Sequence, residues 1–304
     1  MAPEVSRLDP AQSWPWPWSW PWPWSWLWSR PWQAAGMLAL LRCSHPGPTA
    51  AVTLFATVLA IGAGRGWGSV WIMAAVLAGQ LSVGWLNDYL DAERDRAAGR
   101  VDKPIVAGEI ATATVGRGAT LALAACAALS LLSGVPAAAV HLLAVAAAWA
   151  YDVGLKATAL SVVPYALAFG LLPAFVTLGP PLYAPPPAWV VTAGALLGAG
   201  AHFTNALPDL DTDAAVGVRG LPHRLGARRS TLIAALLQAA AGLAVATGAR
   251  PLPPLTLAAL LAVGLLVAGV VAAGLTDRGR LAFRLTMATA GALVVAFVSA
   301  GPLP

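Results

Sequence analysis

Gly84-Trp85-Leu86-Asn87-Asp88-Tyr89-Leu90-Asp91-Ala92-Glu93-Arg94-Asp95 closes one long apolar run. The same pattern closes another 118 positions later, in His202-Phe203-Thr204-Asn205-Ala206-Leu207-Pro208-Asp209-Leu210-Asp211-Thr212-Asp213. Asn87, Asp91, Asp95 and Gly99 recur as Asn205, Asp209, Asp213 and Gly217, and each copy then meets a proline, Pro104 or Pro222. Steps of four place the asparagine and both aspartates of a copy on one helix face, a turn apart. In the first copy Asp88 joins Asp91 and Asp95 at i, i+3 and i+7, a stripe of three carboxylates. In the second, Asp211 turns to another face. Each ladder stands where an apolar run gives way to charge, which predicts a pair of helix ends at a membrane surface.

The composition agrees. The chain is 59% hydrophobic and 10% charged, against roughly 25% charged residues in a soluble domain, and its mean hydropathy is +0.72. Runs of about 20 apolar residues predict an all-α integral membrane bundle of about nine spans, near 48–64, 69–90, 111–133, 136–152, 158–178, 188–207, 230–248, 253–274 and 281–300. The ladders make spans two to five and six to nine loosely repeated halves, with the first span as an extra. With the N-terminus inside, all of the 18 Lys and Arg except Arg65 and Arg250 fall on the cytoplasmic side, as the positive-inside rule requires. The expectation is a multi-pass protein of the cell inner membrane or plasma membrane, with its N-terminus and polar loops cytoplasmic. The net charge of +5 reflects that asymmetry and calls for no nucleic-acid partner.

Residues 1–36 form a separate low-complexity extension, and 37–304 the membrane domain. From Trp14 to Trp28 every second residue is Trp, with Pro or Ser mostly between. Proline at that density forbids a regular helix, so the tract is expected to be extended or disordered, and it lacks the pattern of a secretory signal. It reads either as an interfacial aromatic anchor or as an extension without a role, and no function is rested on it. Cys43 and Cys126 have no metal-ligand spacing and read as small apolar residues.

Acids within or beside a bilayer are expensive and usually functional, and acids at the C-terminal end of a helix oppose its dipole. A bound cation removes that conflict. Mg²⁺ takes oxygen ligands and shares them with water and phosphate. Two facing ladders, each with an amide at its inner end, therefore suggest a site for divalent metal and an anionic, phosphate-bearing ligand.

As a set, these motifs resemble the UbiA superfamily of membrane-embedded prenyltransferases. Asn87-Asp88-x-x-Asp91-x-x-x-Asp95 is similar to the first aspartate-rich motif of that family, and Asn205-x-x-x-Asp209-x-x-x-Asp213 to the second. Arg100-Val101-Asp102-Lys103-Pro104-Ile105 resembles the segment after the first motif, and Gly217-Val218-Arg219-Gly220-Leu221-Pro222 the run after the second. Tyr151-Asp152 with Lys156 resembles the family's Tyr/Lys element. The likeness covers about 42–300. It implies Mg²⁺-dependent transfer of an isoprenyl group from an isoprenyl diphosphate to an acceptor, usually aromatic, within quinone or lipid biosynthesis. By the same resemblance Asp88, Asp91, Asp95, Asp209 and Asp213 hold Mg²⁺ and are the catalytic acids. Asn87 and Asn205 orient the diphosphate or a metal-bound water, and Arg100, Lys103, Lys156 and Arg42 are candidates for contacts with the substrate. His202, a turn inward from Asn205, reads as an acceptor contact or as an interior histidine, and His141 as structural. Tyr89 and Tyr151 read as cavity walls or as interfacial aromatics.

Two alternatives stay open at this point: a terpene cyclase on the same fold, and a membrane transporter. Transport by alternating access needs ionisable groups on both sides of the bilayer, and here the acids gather on one.

Overall fold

The computed structural model describes residues 31–215, 217–250 and 252–301. The Trp-Pro tract lies outside them. Helix α1 spans Pro31–Arg42 and so begins inside the segment assigned to the extension. It is followed by α2 (Pro46–Gly62), α3 (Gly68–Ala97), α4 (Thr112–Leu131), α5 (Val135–Val153), α6 (Val162–Thr177), α7 (Ala188–Ala206), α8 (Leu210–Ala215), α9 (Leu221–Gly248), α10 (Pro254–Leu275) and α11 (Gly279–Ser299). Seven of the apolar helices are long enough to cross a membrane, with α7 and α8 counted as one. The other two, α2 and α6, have 17 and 16 residues and sit where the first and fifth spans were expected.

The helices close a ring in near chain order. Helix α2 packs on α3, α3 on α4 and α5, α5 on α6, α6 on α7, α7 on α9, α9 on α10 and α10 on α11. Contacts of α11 with α2 complete the circuit. The 118-residue offset between the ladders extends to the helices around them: α3 to α6 correspond in order to α7 with α8, α9, α10 and α11. The core is built of small and β-branched residues, with one cluster around Ala56, Ile72, Val76 and Phe175 and another around Ala193, Ala241, Val263 and Leu293. Leu121, Leu236, Leu261 and Leu265 point outward, each more than 70% exposed, as helices facing lipid require.

Helix α3 has 30 residues, or about 45 Å at 1.5 Å per residue, and the hydrocarbon layer is about 30 Å thick. Its apolar segment ends at Leu90, so the last two turns carry Asp91 and Asp95 beyond the hydrocarbon. The glycine of each ladder then terminates its helix. Gly99 and Gly217 adopt φ of +67° and +87°, a left-handed conformation that glycine takes without steric cost. The next N–H reaches back to the ladder itself: Arg100 N–H donates to the Asp95 carbonyl at 3.0 Å, and Val218 N–H to that of Asp213 at 2.9 Å. These are the same helix-closing bonds in both copies.

The polar stretch 208–229, which separates the sixth and seventh expected spans, is largely helical. A 3₁₀ turn at Leu207–Asp209 leads into α8, and α9 already begins at Leu221 with Pro222 in its first turn. Gly226, at φ +77°, breaks α9 where its apolar part begins.

Candidate active site

The ring encloses a cavity of about 720 Å³. Its mouth is polar and its interior apolar. From α3 the lining takes Gly84, Asn87, Asp91 and Asp95, and from the repeat Ala201, His202, Asn205, Asp209 and Asp213. Arg42, Arg100, Lys103 and Lys156 line it too. The fold thus gathers both ladders and all four basic candidates around one chamber. Of the eleven candidates from sequence only Asp88 is absent from the lining. It lies one residue, about 100° of helix, from Asn87, is 3% exposed, and receives Lys103 Nζ at 2.7 Å and His45 Nε2 at 3.0 Å.

The first ladder is tied into a polar network. Lys156 Nζ donates to both oxygens of Asp91, at 2.7 and 2.8 Å, and Arg94 stands 3.2 Å from the same carboxylate. Asn87 Nδ2 donates to Asp152 Oδ1 at 2.9 Å. The second ladder is more open, with the side chains of Asp209 and Asp213 45% and 37% exposed. Arg100 approaches it, with Nη1 3.9 Å from Asp209 while Nε and Nη2 donate to Asp102 at 3.0 and 3.1 Å. Those bonds hold the Asp102 carboxyl below the usual carboxylate range, and they raise the Arg100 pKa further. Asn205 Nδ2 donates to the Tyr165 hydroxyl at 3.1 Å.

Arg42 pairs with Glu109 at 2.6 Å and donates to the Asp102 carbonyl at 3.0 Å, pinning the loop that carries Arg100 and Lys103. Burial first, and then the charge of Asp88, pushes the neighbouring Cys43 thiol up to about 12. It is therefore protonated and unreactive at neutral pH. Cys43 and Cys126 are both free.

Beneath the ladders lies an aromatic wall. Tyr151 meets Tyr165 edge-on at 5.2 Å and His202 at 5.7 Å, and Tyr165 stacks on Phe169 at 6.4 Å. Deeper still, Val52, Phe55, Leu197 and Met287 line an apolar chamber. His202 Nε2 lies 3.0 Å from Ser161 Oγ, which accepts the Leu221 N–H at 2.9 Å. The Ser161 hydroxyl thus ties the imidazole to the start of α9. His141, in contrast, is buried against Ser130 and Phe175, away from the cavity. Tyr89 is 42% exposed and is not in the lining.

Several site residues escaped the sequence reading. Asp152 was noted beside Tyr151 without a role, while Tyr165, His45, Arg94, His223 and Arg280 were not singled out. None belongs to the repeated pattern, so the duplication could not point to them. Their place follows only from helices that meet in three dimensions.

The donors in the lining are suited to a hard cation, being carboxylate and amide oxygens. Among the described residues no three His, Cys, Asp or Glu side chains gather tightly enough to hold a metal alone. Divided ligation of this kind fits Mg²⁺, which commonly takes one or two carboxylates and fills its octahedron with water and phosphate oxygens.

The family model described as the UbiA prenyltransferase family matches residues 47–290. No curated protein sequence matches the chain. Among solved structures, the apo form of a UbiA homologue from Aeropyrum pernix K1 is 20% identical with a TM-score of 0.69, over 81% of this chain and 97% of that one. A UbiA homologue from Archaeoglobus fulgidus bound to GPP and Mg²⁺ is 19% identical with a TM-score of 0.61, covering 86% and 98%. A digeranylgeranylglyceryl phosphate synthase is 14% identical with a TM-score of 0.64, covering 87% and 98%. At these identities the structures establish a shared fold.

Proposed function

The chain belongs to the UbiA prenyltransferase family, and from that premise we propose that it transfers an isoprenyl group from an isoprenyl diphosphate to an electron-rich, aromatic acceptor. One observation carries the reading: Asp91, Asp95, Asp209 and Asp213 converge on the polar mouth of a cavity whose interior is apolar and aromatic. The Archaeoglobus homologue bound to GPP and Mg²⁺ supports the same donor class and metal here.

The four lining aspartates, with the carbonyl oxygens of Asn87 and Asn205, would hold Mg²⁺ against the diphosphate. Bound there, Mg²⁺ supplies neutralisation of the charge that builds on the departing diphosphate. Lys156, Lys103 and Arg100 add cationic donors aimed at the same charge. Lys156 is also paired with Asp91, which ties this cation to the first ladder. Asp88 acts from behind by anchoring Lys103 and His45, and Arg42 by fixing the loop.

The isoprenyl tail occupies the chamber lined by Val52, Phe55, Phe169, Leu197 and Met287. Exclusion of water there protects an allylic cation from quenching, and the ring faces of Tyr151 and Tyr165 favour positive charge beside them. The carbon–oxygen bond to diphosphate breaks to leave the allylic cation, the acceptor's electron pair then forms the new bond at the allylic carbon, and the acceptor loses its proton. The charge asymmetry of the loops orients the mouth and the N-terminus toward the cytoplasm, in the cell inner membrane or plasma membrane.

The test uses purified protein in detergent with a panel of isoprenyl diphosphates, aromatic acceptors, and Mg²⁺ or EDTA, followed by mass spectrometry of the lipid products. The expected result is Mg²⁺-dependent diphosphate release with an acceptor-linked product. Release that yields only a cyclised hydrocarbon or alcohol would make the protein a cyclase. No release from any donor by folded protein would favour transport.

A further inference from the structure

Asp152 is a carboxylate in an expensive place. It is 5% exposed at the end of α5, in a chain built for the bilayer, and no basic side chain lies within ion-pair distance of it among the described residues. Among the described residues its one side-chain hydrogen bond comes from Asn87 Nδ2 to Oδ1, and its Oδ2 is buried with no partner. A buried carboxylate half satisfied in this way costs free energy, and ionisable groups retained at such depth usually serve the site they adjoin. Packing alone does not account for it, because an apolar residue of the same size would remove the cost.

The bond settles the direction of an amide. A carboxylate accepts and does not donate, so the group that Asn87 turns toward Asp152 is its NH₂. The Asn87 carbonyl oxygen is then directed away from Asp152. Among the described residues that oxygen has no hydrogen-bond partner, and it is not buried, while Asn87 itself lines the cavity. The oxygen is therefore accessible, on a residue that lines the cavity one helical turn from Asp91. Position 270, the counterpart of 152 in the second half, is Val. Asn205 is instead held by Tyr165, whose hydroxyl can donate as well as accept and so leaves that amide free to reverse. The unambiguous orientation belongs to the first ladder alone.

We infer that Asp152 is a positioning residue for Mg²⁺–diphosphate recognition, holding Asn87 so that its carbonyl oxygen faces the metal side of the cavity. The inference rests on the Mg²⁺–diphosphate reading of the site given above. Groups that orient metal ligands from behind typically change metal affinity roughly 10- to 100-fold when removed.

The test is calorimetric titration of the full chain in detergent with inorganic diphosphate at a series of Mg²⁺ concentrations, read as the Mg²⁺ concentration giving half-maximal binding. Asp152→Ala should raise that midpoint about tenfold or more, and Asn87→Ala should raise it similarly. The double variant should be no worse than the poorer single, since residues acting as one unit are non-additive. Asp152→Asn, whose amide oxygen can still accept from Asn87, should stay within about threefold of wild type, and it keeps the side-chain volume should the alanine variant fold poorly. A wild-type midpoint in Asp152→Ala, a tenfold rise in Asp152→Asn equal to that of alanine, or losses that multiply in the double variant would each overturn the inference while leaving the site reading intact. If wild type itself binds no diphosphate with Mg²⁺, the site reading falls and the inference with it.

Discussion

The two ladders share an Asn/Asp/Asp/Gly pattern at steps of four and end with the same glycine-closed geometry, yet their surroundings differ. Asp91 sits on a continuous helix and is neutralised by Lys156 and Arg94. Asp209 and Asp213 sit on a 3₁₀ turn and a six-residue helix, largely open, with Arg100 and His223 at 3.9 and 3.5 Å. The cations at the mouth follow the same division. Arg100, Lys103 and Lys156 lie in the first half, and their counterparts 118 positions on are Val218, Leu221 and Gly274. Both halves therefore supply a carboxylate arm, while Arg94, Arg100, Lys103 and Lys156 in the lining come from the first half and Arg280 from the second. A symmetric backbone here carries an asymmetric electrostatic site.

Substitutions of the acids test whether the arms are equivalent. Asp91→Ala and Asp209→Ala should each lower turnover on the order of 10³-fold, the upper range for loss of a transition-state contact, with membrane insertion intact. Diphosphate release per folded molecule is the measurement, and equal losses would support a shared metal site. Loss of expression in both, with normal activity per folded molecule, would reverse the assignment.

The cations should break the symmetry. Lys156→Ala should reduce turnover about 10²-fold, whereas Arg280→Ala, at an exposed residue on the second half's rim, should change it by less than about threefold. Comparable losses in the two would remove the one-sided picture.

The closing glycines should restore the symmetry at the level of stability. Gly99→Ala and Gly217→Ala each force a Cβ into a left-handed conformation with open space around it, at a cost of about 1–2 kcal/mol. Thermal unfolding of the two variants should therefore shift alike, and a shift confined to one would show that the closures differ in weight. Smallest of all, Arg42→Ala removes a pair whose partners are both about 40% exposed, worth roughly 0.2–1 kcal/mol, and turnover should stay within about threefold of wild type.

Much of this was legible in the residues. The apolar runs located the helices, and the step of four placed Asn87, Asp91 and Asp95 on the face that lines the cavity. The limits of that reading are equally physical. Periodicity marks where apolar burial ends and not where a helix ends, so α3 and α9 extend into stretches read as loops. A stripe drawn on one helix also gave Asp88 the same duty as Asp91. Its actual direction depends on His45 and Lys103, which approach from other segments. Asp152 and Tyr165 hold the two asparagines through contacts between helices distant in sequence, and no local pattern encodes them.

Two ladders that form one site bind with a definite stoichiometry. Titration of the intact protein with inorganic diphosphate in saturating Mg²⁺ should give one ligand per chain, and no measurable binding in either Asp91→Ala or Asp209→Ala. Two ligands per chain in the wild type, or one surviving undiminished in each variant, would contradict it.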